Sequence, residues 1–134
     1  MLRRARVVAV LGAHAEARRP AHYVPAYLQA QGYRIIPVNP KYAGQVLFGA
    51  RVVPSLLDIE VPVDLVDVFR PAASLPSHLP EILGMTPRPP VVWFQLGIRN
   101  EAVADALVAA SIDVVQDRCT LADHRRWGLP ARGD

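Results

Sequence analysis

Short, continuously apolar runs alternate along the chain with longer segments whose apolar residues recur at helical spacing. That alternation predicts an α/β domain. Val7-Val8-Ala9-Val10-Leu11 has no polar position, as expected of a strand covered on both faces of a parallel sheet, and Gly12 ends it. Val24, Tyr27 and Leu28 then share a helical face that stops at Gly32. Because Pro25 is tolerated in the first turn of a helix, the regular helix is predicted over 22–31.

Residues 33–38 predict a second strand closed by Asn39-Pro40, and residues 64–69 a third. Between them lie a glycine-punctuated loop, an extended piece at Val52-Val53 and a turn capped by Ser55. Leu75, Leu79, Ile82 and Leu83 predict a helix that Pro76 and Pro80 start late or kink. Residues 91–96 give a fourth strand. Asn100 caps a helix over 101–110, 112–116 form a fifth strand, and 120–127 a last short helix, with fraying expected beyond Gly128.

Five strands joined by short helical crossovers define a single Rossmann-like, doubly wound domain over 1–134 (core about 6–124), with a mainly parallel sheet. Ligands of such sheets sit beyond the carboxyl ends of the strands, where strand order reverses. The rule selects 12–20, 39–42, 69–71, 96–100 and 117–119.

At 134 residues, with 51% hydrophobic and 20% charged positions, one self-sufficient core is expected. The single cysteine, Cys119, excludes an internal disulfide and a multi-cysteine metal or iron–sulfur site, and it suits a reducing cytoplasm. Arg3, Arg4 and Arg6 before an apolar run imitate a leader peptide, but that run reads better as the first core strand. No stretch has the roughly 18 apolar residues of a membrane span.

The net charge of +3 comes from scattered arginines, with Lys41 the only lysine, which points to anion contacts rather than a nucleic-acid stripe. Arg18, Arg19, Lys41, Arg70, Arg99 and Arg118 all fall near strand ends. The helix N-termini after the first and fourth strands are expected to add N–H donors, so phosphate is the natural complement. A dinucleotide fingerprint is missing: the first loop has one glycine, and the second strand ends in Asn39-Pro40-Lys41 rather than an acid.

Four segments then carry a resemblance: residues 38–41 (VNPK), 66–70 (VDVFR), 93–100 (WFQLGIRN) and 117–119 (DRC). In this order they resemble the small stand-alone bacterial CoA-binding proteins, which are similar to the N-terminal CoA-binding domain of the succinyl-CoA synthetase alpha subunit. The likeness runs from about Arg6 to His124. It implies that CoA or acyl-CoA is held across the strand ends. Gly12, Ala13, His14, Arg19 and Pro20 would form the phosphate loop, and Asn39, Pro40 and Lys41 the basic turn after the second strand. Val68, Phe69 and Arg70 would line the path of adenine and pantetheine, with Gln95, Leu96, Gly97 and Asn100 beside the pantetheine arm. His14 and Ala21 stand where the family usually has serines, so hydroxyl contacts to phosphate are not carried over.

No catalytic or metal site emerges. The four histidines show no ligand spacing and no Ser, Cys or acid partner, and His22 reads as a helix-surface residue. Asp64 is expected to start its strand and Asp67 to accept loop N–H groups. Trp93 and Phe94 read as core residues, and Cys119 as a small residue closing a strand. The expected function is therefore non-catalytic binding of CoA. The alternatives are a thiol-dependent acyl-CoA transferase using Cys119 and an NAD(H) or nucleotide redox sensor. So small a sheet with exposed edges is compatible with a homodimer or with an unknown protein partner, and no nucleic-acid or membrane partner is expected.

Overall fold

The computed structural model describes residues 1–129; the expected fraying beyond Gly128 falls, past Leu129, outside the described residues. Five parallel strands form one sheet: β1 (Val7–Leu11), β2 (Arg34–Val38), β5 (Leu65–Val68), β6 (Val91–Phe94) and β7 (Asp113–Val115), in the order β2-β1-β5-β6-β7. A two-stranded antiparallel hairpin, β3 (Val46–Leu47) and β4 (Ala50–Arg51), occupies the long loop. The helices are α1 (Pro20–Ala30), α2 (Leu75–Leu83), α3 (Glu101–Ala109) and α4 (Thr120–Arg126).

The continuous apolar runs are explained by two cores, one on each face. Val8 and Val10 face the α1 side with Val24, Leu28, Leu65 and Trp93, whereas Ala9 and Leu11 face the α2 and α3 side with Val66, Val68, Phe94 and Leu107. Alternate residues of one strand enter opposite cores, so no position is left for a polar residue. The expected Rossmann-like sheet is the observed one. After β2 the chain returns across β1 to form β5, which places the reversal of strand order between β1 and β5.

Helix α1 starts earlier than its prolines suggested, with Pro20 in the first turn and Pro25 inside it. Pro25 has no N–H for the carbonyl of Ala21, four residues back. That carbonyl instead accepts the N–H of His14, at 3.2 Å. The break in the helical ladder thus fastens the loop after β1 onto α1.

The expected extended piece at Val52-Val53 is a single bridge from Val53 to Val38 beside the hairpin. Ser55 caps the short 3-10 turn Leu56–Asp58, as expected. The late helix start is a 3-10 turn, Ala72–Ser74, leading into α2. Among the described residues, no helix is long and apolar enough to cross a membrane.

Candidate functional site

The carboxyl ends of the strands open into a cleft of about 710 Å³. Each of the five strand-end segments reaches it: Gly12, His14, Arg19 and Pro20 from the first; Asn39, Pro40 and Lys41 from the second; Phe69 and Arg70; Leu96 and Ile98; and Cys119. A smaller hollow of about 340 Å³ shares Gly12, Asn39, Pro40 and Arg70 with it and extends to Ser55, Ser77, His78 and Glu81.

The first two loops are tied to each other. Gly12 donates its N–H to Val38 O at 2.8 Å, and the Asn39 amide donates to Ala13 O at 2.8 Å while its oxygen caps Lys41 N at 2.9 Å. Gly12 is required here, because its φ is +91° and an added Cβ would lie 2.9 Å from Arg70 Cδ and 3.3 Å from the Phe69 carbonyl carbon. The aliphatic stem of Arg70 therefore packs against the backbone where a side chain on residue 12 would have to be.

Arg70 is the unusual cation. Its Nε is buried and has no hydrogen-bond partner, a state that natural structures rarely leave uncompensated. The other expected cations sort differently. Arg19 reaches the cleft but pairs with Glu16 at 3.1 Å, and Arg18 shares that acid at 3.9 Å. Arg99 is held by Glu101 at 2.8 Å. Arg118 makes a two-pronged contact with Asp123, which also raises its pKa, and it lines a separate apolar hollow beside Met1 to Arg4. The expectation of six cations on one rim is thus corrected to three, Arg19, Lys41 and Arg70. Sequence proximity to a strand end does not reveal an acid two, three or five residues away that satisfies the charge locally.

The helix termini are corrected in the same way. Helix α1 opens on the cleft through Pro20 and Ala21, with no side-chain cap and no acid in its first turn. Its positive end is available to an anion. Helix α3 is already satisfied: Asn100 Oδ1 accepts Val103 N at 3.1 Å, and Glu101 sits in the first turn.

Four other expected site residues also work as framework. Asn100 donates to Ala72 O, Gly97 N binds the Asp117 carboxylate, Val68 is fully buried, and Ala13 is buried with its carbonyl on Asn39. None of the four lines the cleft. Conversely, Tyr23 and Val24 line it without a sequence signal, because helical periodicity says nothing about which face meets a ligand.

His14 lines the cleft, but its Nδ1 accepts the Glu16 N–H at 3.0 Å, so the neutral ring carries its proton on Nε2, which lies 3.4 Å from Tyr42 Oη. Tyr42 in turn sits under Lys41, whose Nζ is 5.4 Å from the ring centre. His22 is not simply a helix-surface residue; its Nδ1 donates to His14 O at 2.8 Å and its ring meets Phe48 edge-on.

His78 and His124 also have partners that spacing did not reveal. His124 is 2% exposed and bonds Tyr27 Oη through Nδ1. His78 bonds Glu81 one turn on, and Glu81 also accepts Ser55 Oγ and Leu56 N. Burial would raise the Glu81 pKa, but His78, Ser55 and the Leu56 N–H outweigh it and hold the pKa below its usual value. The serine donates to the carboxylate and not to the imidazole, so this is no nucleophile–base pair.

Asp64 stands at the start of its strand as expected, but it also takes the backbone N–H contacts expected of Asp67. Asp64 accepts the N–H groups of Arg6 and Val7, both at 2.9 Å, and pins the start of β1. Asp67 is fully buried and bonded to side chains, Gln95 Nε2 and Thr120 Oγ1. Burial pushes its carboxyl up to about 7, against the opposing pull of these two bonds.

A doubly wound sheet whose strand-end cleft joins an unpartnered guanidinium, a lysine and an uncapped helix start defines a nucleotide- or phosphate-binding class of domain. Residues 6–125 match the model of the CoA binding domain, and the chain belongs to that family. It is 36% identical to the Bacillus subtilis (strain 168) protein YneT, over 92% of this chain and 89% of that one. It is also similar to the solved structure of cell-free ID.343 from Thermus thermophilus (54% identity, TM-score 0.90, covering 93% and 92% of the two chains). The fold recurs in the dinucleotide-forming acetyl-coenzyme A synthetase 1 of Ca. Korarchaeum cryptofilum, at 15% identity and TM-score 0.69, covering 81% of this chain and 25% of that one.

Proposed function

We propose that the chain holds coenzyme A, or a thioester of it, non-covalently and without catalysis, with the phosphates at Gly12, Lys41, Arg70 and the start of α1. The observation that carries this reading is the orphaned Arg70 Nε, buried within the cleft of a CoA binding domain. A guanidinium so placed gains a charge-assisted bond when an anion enters. The cradle fits the group: the glycine lets backbone and cation close together, Glu16 is committed to Arg18 and Arg19, and Glu81 in the adjoining hollow is held by His78, Ser55 and Leu56 N.

Calorimetric titration with CoA, NADH and ATP tests it. CoA is expected to bind most tightly, and native mass spectrometry of protein purified without added ligand is expected to show a retained mass matching CoA. Tighter binding of NADH would replace this reading with that of a redox sensor.

A second reading rests on Cys119, a free thiol that lines the same cleft. As a nucleophile it would make the protein an acyl-CoA transferase. Under the binding reading, Cys119→Ser retains CoA affinity and no acyl-CoA turnover is lost. Turnover that disappears in this variant would establish the transferase instead.

A further inference from the structure

We infer that the side-chain amide of Gln95 is a fixed hydrogen-bond acceptor that reads an amide N–H of the bound ligand, and that Asp67 and Thr120 are the positioning residues that aim it. The inference rests on the CoA reading of the cleft, in which the resemblance sets Gln95 beside the pantetheine arm, and adds the atom of Gln95 that makes the contact and the residues that aim it.

Gln95 is 4% exposed, yet it lines the cleft. Its Nε2 donates both hydrogens inward, one to Asp67 Oδ1 at 2.5 Å and one to Thr120 Oγ1 at 2.8 Å. The Thr120 hydroxyl donates on to Asp67 Oδ2 at 2.9 Å. Once ionised, above about pH 7, the Asp67 carboxylate only accepts, so the amide cannot turn its oxygen toward it, and its NH₂ must face inward. Oε1 is the one polar atom of the side chain left for the cleft. Its direction is set by three elements at once: the end of β5, the residue after β6 and the first residue of α4.

The polarity of the cleft assigns this acceptor to one part of the ligand. Gly12, Arg19, Lys41 and Arg70 lie at the ends of β1, β2 and β5, where phosphates are satisfied. Beyond β6 the lining is Leu96, Ile98 and Cys119, apolar or thiol, with Gln95 as the polar group. An anion gains nothing there from an acceptor oxygen. A neutral chain bearing amide N–H donors does, and CoA carries such an arm opposite its phosphates. Burying a fixed acceptor also penalises a ligand that offers no donor, which makes the residue selective.

The test is calorimetry at pH 8, where Asp67 is ionised, on wild type, Gln95→Met and Thr120→Val with two ligands: CoA, and adenosine 3′-phosphate 5′-diphosphate, which keeps the base and phosphates but lacks the amide arm. Gln95→Met is expected to weaken CoA roughly tenfold, the loss of about one hydrogen bond to a buried group. It should leave the arm-less nucleotide within about twofold. Thr120→Val, which frees the amide to rotate while keeping the carbon outline, should produce a smaller loss of the same selectivity, and Thr120→Ser should restore it.

Equal losses for both ligands would mean that Gln95 only supports the fold, and no loss for either would mean that its oxygen touches nothing; each result overturns the inference. If Gln95→Met does not fold, the Thr120→Val and Thr120→Ser pair decides by the same ratio. Wild-type protein that binds the arm-less nucleotide as tightly as CoA overturns this inference and leaves the phosphate site standing, whereas wild type that binds neither overturns the CoA reading and this one with it.

Discussion

Arg70→Ala is expected to weaken CoA binding by about 2–3 kcal/mol, on the order of 30- to 150-fold, the scale of a charge-assisted hydrogen bond in a partly desolvated cleft. The side chain has no internal partner at Nε, so its removal breaks no bond of the free protein there. Gly12→Ala attacks the same contact from the other side. Its Cβ would sit 2.9 Å from Arg70 Cδ, on a backbone with φ +91° that alanine rarely adopts. The strain costs about 1–3 kcal/mol of stability, and the Arg70 stem must shift. The double variant separates the two effects. Without Arg70 the closest clash disappears, so stability should recover in part, while affinity stays as low as in Arg70→Ala. Such coupling between neighbours is the signature of a shared contact. Isothermal calorimetry for affinity and urea unfolding for stability check both expectations. CoA affinity in Arg70→Ala within about twofold of wild type would place the phosphates elsewhere.

The framework was legible because both faces of this sheet are covered, which forces residues such as Val7 to Leu11 to be uniformly apolar and makes each strand conspicuous. The site was legible as a set of loops, since topology alone places strand ends at one rim. What sequence could not supply was the pairing of charges. Arg99 and Arg70 look alike in a string, yet one lies 2.8 Å from Glu101 and the other has a buried, unpartnered nitrogen. That Asp64 and not Asp67 accepts backbone N–H groups has the same origin. Their partners, the N–H groups of Arg6 and Val7 in one case and Gln95 and Thr120 in the other, are distant in sequence and are brought together only by the parallel pairing of β5 with β1 and β6. Pro25 misled for a local reason: the helix rule treats a proline's orphaned carbonyl as a loss, and here a loop N–H consumes it.

Asp67 carries the second large prediction, because a carboxyl buried among neutral partners must oppose stability when ionised. Its pKa is raised from 3.8 to about 7 by burial. Between these two values the folded protein holds a proton that the unfolded chain has released. Stability therefore falls as pH rises through this window and levels off above about 7. At about 1.4 kcal/mol per pKa unit the difference is on the order of 4 kcal/mol. Glu81, held below its usual value, contributes stability that is lost only as pH falls below about 4.5, so it does not mask the effect between pH 5 and 7. Urea midpoints across that range should decline with pH in wild type and stay nearly flat in Asp67→Asn, with the variant the more stable protein at pH 8. Parallel profiles would mean that Asp67 titrates as an ordinary carboxylate. Above pH 7 the ionised Asp67 only accepts, so its bond to Gln95 Nε2 fixes the amide with its NH₂ inward; asparagine at this position offers the amide both an oxygen and an N–H, and the orientation of Gln95 is then no longer determined.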